Sequence, residues 1–168
     1  MPPYTPHEMS SPTSAGLLEE HPQALFDAVD AAFTGWLAGR MERIVSSSGH
    51  RLTEQDTTIV GAAVASAAAS VRSSLHGLLA TDVDEQRQNP LHVIRAAAVT
   101  VTPVLASIGA VQPRRDEFET RAMPDDVYAI GPLAWSDLGE AVHEAGITWG
   151  AWKAATVLVR RRAEGKVQ

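Results

Sequence analysis

Cysteine is absent from this sequence, and its absence excludes several kinds of site at once. Without thiols there is no disulfide framework, no thiolate zinc or iron–sulfur site and no cysteine nucleophile. Glycines are scattered singly, so the signatures of a phosphate loop and of a dinucleotide-binding turn are missing as well. Chemistry would have to come from His, Asp, Glu, Ser, Thr, Tyr or Arg, and we expect no cofactor.

Lysine is nearly absent too: the chain has two lysines beside 12 arginines, and its net charge is −6. The negative charge lies in the first half, where 11 acidic and five basic residues precede Asn89, whereas the remainder balances nine with nine. Lys and Arg supply most of the affinity for nucleic acid by neutralising phosphates. No predicted helix pair has the basic recognition face of a helix-turn-helix, so we expect no nucleic-acid partner.

Long hydrophobic runs are also missing. The start of the chain, Met1 to Glu8, has neither the basic nor the apolar region of a secretory signal. The least polar window, Ile59 to Ala69, is short and rich in Ala and Ser, and Arg72 follows it. A membrane-spanning helix needs about 20 predominantly apolar residues. We therefore expect a cytoplasmic protein without a membrane span.

The chain divides into a tail and one domain. Residues 1–20 contain four prolines among Ser and Thr and almost nothing apolar before Leu17, which predicts a flexible tail because such a segment buries too little surface to offset its ordering entropy. Residues 21–168 have the size and apolar content of a single domain.

Two long helices are predicted in the first half. Apolar residues at intervals of three and four indicate a helix from Pro22, which suits a first helical turn, to the Ser46–Gly49 run. Thr53 followed by Asp56 is a weak capping box that begins a second helix, ending near Ala80. Its first half carries mostly Ala and Gly, so another helix can approach closely. We expect it to be the central helix of the bundle or an oligomer contact.

The second half is less regular. Asn89 and Pro90 begin a third helix that reaches Gly109; Pro103 should kink it, although Val99–Thr102 is compatible with a short strand. We expect a short polar helix at most over 114–122 and an irregular segment over 124–132. A helical turn or two should follow and end at Gly146, before a last helix that ends in Arg160–Arg162. The predicted fold is an all-α antiparallel bundle of four main helices plus one or two short ones.

Four groups of residues are candidate sites, and two of them contain possible metal ligands. Glu140 and His143 have the Glu-x-x-His spacing of bundle metal sites but lack the second such pair, so they are weak metal candidates beside the simpler interpretation of a solvated Glu and a surface His. His76 and His92 flank one loop and could share a metal or form a pH-sensitive contact, yet such residues are usually only partly exposed polar groups.

The other two groups are candidates for binding a ligand or partner. The irregular, charged segment from Arg114 to Tyr128 is the kind of loop in which binding residues concentrate, although the favoured interpretation is a packed connector whose arginines pair with neighbouring acids. Two tryptophans lie near the C-terminal arginines, where they suit either an interface or the core. The candidate binding residues are Arg114, Arg115, Arg121, Tyr128, Trp149 and Trp152.

A resemblance covers about half of the chain, from Asp84 to Arg162. The matching residues are Asn89-Pro-Leu, Arg95, Arg115-Asp-Glu-Phe118, Pro124-Asp-Asp-Val-Tyr128, Gly146, Trp149-Gly150 and Lys153-Ala154. This pattern resembles small all-helical actinobacterial proteins of uncharacterised activity, and the excess of Arg and Ala agrees with a GC-rich genome. The resemblance implies no catalytic residue.

These observations favour a non-enzymatic regulatory or adaptor protein that acts through protein contacts, with self-association through the Ala-rich face of the second helix as one form of such contact. The alternative is a bundle that binds a small ligand or a metal between the 114–128 segment and the Trp-containing helix. An enzyme is the least favoured interpretation, because no nucleophile and base stand at a recognisable spacing.

Overall fold

A computed structural model describes residues 14–81, 89–111 and 125–165. Within these ranges all regular secondary structure is helical. The elements are α1 (Ser14–Ser47), α2 (Glu54–Ala80), α3 (Pro90–Val99), α4 (Thr102–Ser107), a 3-10 helix η1 (Trp135–Leu138) and α5 (Glu140–Ala163). The predicted all-α bundle is confirmed, with α1, α2, α3 and α5 as its four main helices.

Helix α1 begins at Ser14, earlier than the predicted start, and Pro22 lies inside it. The segment before Pro22 contains Ala, Leu and Glu, which favour helix, and this offsets the loss of one backbone hydrogen bond at the proline. The predicted tail is thus helical over 14–20, and residues 1–13 lie outside the described part of the chain. The buried stripe of α1 repeats every four residues: Leu25, Val29, Phe33, Leu37, Met41 and Val45.

Helix α2 runs antiparallel to α1. Asp30 of α1 pairs with Arg72 of α2, and Phe26 of α1 meets His76 edge to face with ring centroids 5.0 Å apart. The capping box is confirmed: the Thr53 hydroxyl accepts a hydrogen bond from the Asp56 N–H (3.1 Å), and the Asp56 carboxylate accepts one from the Thr53 N–H (2.9 Å).

The four main helices follow one another across the bundle in the order α5, α1, α2, α3, because α1 packs against α5 and α2, and α2 packs against α1 and α3. Helix α2 therefore has an inner position, and its buried residues Val64, Ala67, Ala68 and Val71 join one core with those of α1 and α3. The remaining side of α2 faces away from the bundle.

Two local features differ from expectation. The predicted third helix is divided into α3 and α4 by a turn at Thr100 and Val101, so Pro103 stands in the first turn of α4, where its missing N–H removes no helical hydrogen bond. Gly146, predicted to break a helix, lies inside the continuous α5. A Cβ at Gly146 would lie 2.6 Å from Cδ1 of Trp135, so the glycine is needed for close packing rather than for a break.

Candidate protein-interaction site

The predicted binding segment ends in a buried turn, residues 125–131, that is built around one carboxylate. Asp126 is almost fully buried, and its carboxylate oxygens accept hydrogen bonds from the N–H groups of Ile130 and Gly131, each at 2.7 Å. Ala129 has a left-handed φ of +52° and donates its N–H to the Asp126 carbonyl at 3.1 Å. Such bonds to a buried charge hold the backbone of the turn in place.

Arginines from two helices hold the same turn. Nη2 of Arg40 on α1 donates to the Ala129 carbonyl (2.7 Å), and Nη2 of Arg95 on α3 donates to the Asp125 carboxylate (2.9 Å). The pKa of the Asp125 carboxyl is lowered, first by its own backbone N–H and then by Arg95. The stem of Arg95 lies against Gly131, where a Cβ would come within 2.5 Å of the arginine Cγ. The turn is thus attached to both α1 and α3.

Tyr128 is a structural anchor in this arrangement. Its ring is buried, and its hydroxyl donates to the carbonyl of Ala110 at 3.1 Å. The described end of the segment, 125–128, is therefore packed against the bundle, as the favoured interpretation of a connector predicted. Arg114, Arg115 and Arg121 lie outside the described residues.

The two predicted tryptophans face the bundle. Trp149 is buried on α5, with Nζ of Lys153 lying 5.1 Å from the centre of its ring. Trp152 is half-buried, and its ring centroid lies 6.1 Å from that of His21 on α1. Both side chains therefore help to attach α5 to the core, and partner binding by Trp149 and Trp152 stays a prediction.

The possible metal ligands Glu140, His143, His76 and His92 lie on three different helices, α5, α2 and α3. Glu140 is exposed and His143 half-buried on α5. Across the ranges 14–81, 89–111 and 125–165, no group of three His, Cys, Asp or Glu residues could hold a metal ion. His76 packs on Phe26, as described above, and His92 is exposed. Metal binding by Glu140 and His143 stays a prediction.

The outward side of α2 is an uncharged helical surface. No charged residue occurs between Asp56 and Arg72. We call this surface the α2 outer face, and its exposed residues are Thr58, Ile59, Gly61, Ala62, Ala65, Ser66 and Ala69. Small side chains leave the backbone close to the surface, so another helix can pack against it at short distance.

Helix α2 is strongly apolar although much of it is exposed. Two helical stretches, Glu54–Ala80 and Pro90–Ser107, are long and apolar enough to cross a membrane by length and composition alone, and the core helices of soluble proteins meet the same criterion. Only 28% of the most apolar window of α2 is buried inside the bundle. Much of its apolar surface is therefore available to something outside the bundle.

The small side chains on α2 were predicted from the sequence, whereas the roles of Arg40 and Asp126 in the buried turn were not. No spacing in the sequence links Arg40 to residues 89 positions away.

The chain matches no protein-family model, no curated protein and no solved structure.

Proposed function

We propose that this protein is a non-enzymatic regulatory or adaptor protein that binds a protein partner through the α2 outer face. The observation that supports the proposal is the low burial of the most apolar part of α2 together with the absence of charge from residues 57–71. Exposed apolar patches on folded domains commonly mark interaction sites.

The chemistry of the face indicates the kind of partner. Ala62, Ala65 and Ala69 lie on one side of the helix at intervals of three and four, and all three are exposed. A face of this kind accepts the larger apolar side chains of an amphipathic helix, as in helix-in-groove recognition. It offers no charge with which to select a polar or nucleic-acid ligand. The partner surface should therefore be helical, apolar and uncharged.

The experiment compares two matched alanine substitutions in the full chain. Ala65→Glu puts a charge in the centre of the α2 outer face, whereas Ala96→Glu puts the same charge on an exposed position of α3. Each variant is purified from the protein's own cells and measured by native mass spectrometry. We expect a stoichiometric protein partner on the wild type and on Ala96→Glu, and its loss from Ala65→Glu.

Retention of the same partner by Ala65→Glu, or no partner on any of the three proteins, would contradict the proposal. Ala68, which also belongs to the Ala-rich run, is not a suitable position because it is 5% exposed and faces the core. A larger side chain there would overpack the bundle and destabilise the fold itself.

A second candidate, a small-ligand-binding bundle, is favoured by one observation at the buried turn. The Nε atoms of Arg40 and Arg95 are buried and have no hydrogen-bond partner within the described part of the chain. Buried donors without acceptors are unfavourable, and a small anion bound beside these guanidinium groups would satisfy them. A small mass retained in the same spectra, in place of a protein, would support this candidate.

A further inference from the structure

Helix α5 has two heptad stripes on opposite sides. Val142, Gly146 and Trp149 form the buried stripe that faces the bundle. A second stripe, which we call the α5 outer stripe, also repeats at alternating intervals of three and four, the spacing of the a and d positions of a coiled coil. All of its members are exposed: Glu140, Glu144, Ile147, Ala151, Ala154, Leu158 and Arg161.

The α5 outer stripe is apolar in the middle and oppositely charged at its ends. Ile147 and Leu158 are 57% and 49% exposed, so the bundle leaves both large apolar side chains uncovered. Acidic residues precede them and Arg161 follows. From Gly146 to Ala163 the helix has no acidic residue. The stripe spans about 33 Å at 1.5 Å per residue, long enough for an extended helix–helix contact.

This order of side chains is complementary to itself in one arrangement. If a second α5 lies antiparallel with its Ala154 opposite Ala151, the heptad places the second copy's Leu158 opposite Ile147. The same register places the second copy's Arg161 opposite Glu144. Two-fold symmetry makes each of these pairs occur twice, as in any interface formed by one patch with itself.

We infer that the protein forms a homodimer by antiparallel pairing of the α5 outer stripes of two copies. The central alanines allow close approach, the Ile147–Leu158 layers on either side exclude water, and the Glu144–Arg161 pairs at both ends select the antiparallel register. A parallel pairing would place Glu144 opposite Glu144 and Arg161 opposite Arg161, which repel each other.

The α5 outer stripe lies on a different helix from the proposed partner site, which is on α2. Self-association through the α2 outer face lacks the selective element that α5 offers, because that face has no charged residue to set a register. Helix α1 lies between α5 and α2, so pairing through α5 leaves the α2 outer face open. The dimer and the partner contact therefore fail or succeed independently of each other.

The test measures the mass of the full chain by sedimentation equilibrium over a range of concentrations. The chain has a mass of 17.9 kDa, and the wild type is expected at twice that mass. Leu158→Glu should raise the dimer dissociation constant by about 100-fold, because both copies lose a buried leucine. Val159→Glu is the matched control: Val159 is 66% exposed but lies outside the stripe, and its replacement should leave the mass unchanged.

A charge exchange tests the register separately. Glu144→Arg and Arg161→Glu should each weaken the dimer, because each places like charges opposite one another, and the double variant should restore it with the pairs reversed. The variants are all at exposed positions, so circular dichroism should show an unchanged helical fold.

Three results would overturn the inference. One is a wild type that stays monomeric at every concentration, including a monomer that instead binds vesicles containing anionic lipid through the same stripe. Another is equal dissociation of Leu158→Glu and Val159→Glu, which would indicate a general loss of surface hydrophobicity. The third is a double charge variant that dimerises no better than the single ones.

Discussion

Replacing Asp126 with Asn changes one atom of the buried turn and tests whether its carboxylate organises that segment. Both carboxylate oxygens of Asp126 accept backbone hydrogen bonds at 2.7 Å, from Ile130 and Gly131. An amide can keep only one of these acceptors, and its NH₂ group then faces a backbone N–H. A buried donor left unsatisfied is unfavourable by about 1–3 kcal/mol, and loss of a hydrogen bond to a charged group has a similar effect. We expect Asp126→Asn to lower the free energy of unfolding by about 2–4 kcal/mol.

The assay is urea unfolding followed by far-ultraviolet circular dichroism, with linear extrapolation to water. Asp125→Asn is the matched control, since the neighbouring carboxylate is 63% exposed and should contribute much less to stability. If the two variants unfold at the same urea concentration as the wild type, the carboxylate does not hold the turn and the reasoning is wrong. A loss confined to Asp126→Asn supports it.

Two further predictions concern the ends and the packing of the helices. The pKa of the Asp56 carboxyl is lowered from 3.8, mainly by the hydrogen bonds with Thr53 at the start of α2. The ionised carboxylate therefore stabilises the fold above pH 3.8, and this stabilisation is lost as the pH falls through the folded-state pKa. Asp56→Asn should thus be less stable than the wild type at neutral pH and converge with it in acid, and a constant difference in urea unfolding from pH 7 to 2 would contradict this. Gly146→Ala should destabilise the protein by about 1–3 kcal/mol, because the added Cβ would press on Trp135. Gly150→Ala should instead stabilise it by about 0.5–1 kcal/mol, because nothing lies within 4 Å of its added Cβ. Thermal unfolding checks the sign of each change, and equal effects would show that the Trp135 contact is unimportant.

The α5 outer stripe is proposed to form the dimer, and the α2 outer face is proposed to bind the partner. If α5 pairs with a second α5, the dimer carries two copies of the α2 outer face, because α1 separates α5 from α2 in each subunit. A partner with two matching helices would then bind with higher effective affinity than a partner with one. The α5 variants and Ala65→Glu distinguish these contributions, since only the former change the mass of the protein alone.

Local signals in the sequence predicted the helices well. Periodic apolar residues located α1, α2 and the last part of α5. The capping pair of Thr53 and Asp56 and the cap at Asn89, whose side-chain oxygen accepts the N–H of Leu91 at 3.0 Å, are both present. These features depend on residues within one or two turns of each other, so their effect can be judged without knowing the tertiary structure.

The candidate site was predicted less completely. Tyr128 was a candidate binding residue, and in the structure it anchors the buried turn. The two arginines that hold the turn come from distant helices. Gly146 was expected to end a helix, because glycine is a weak helix former; its position opposite Trp135 was not visible in local sequence. Trp149 was compatible with the surface or the core until the orientation of α5 was known.

By itself, the sequence determined that the chain is mostly helical, how two of the helices begin, and that the molecule lacks thiol groups. Only the tertiary structure decided which side of each helix is covered. On α5, for example, Trp149 and Leu158 belong to two apolar stripes of similar spacing, and packing on α1 buries the first while leaving the second exposed. The reason is physical: periodicity depends on neighbours along one helix, whereas burial depends on which other helix packs against it.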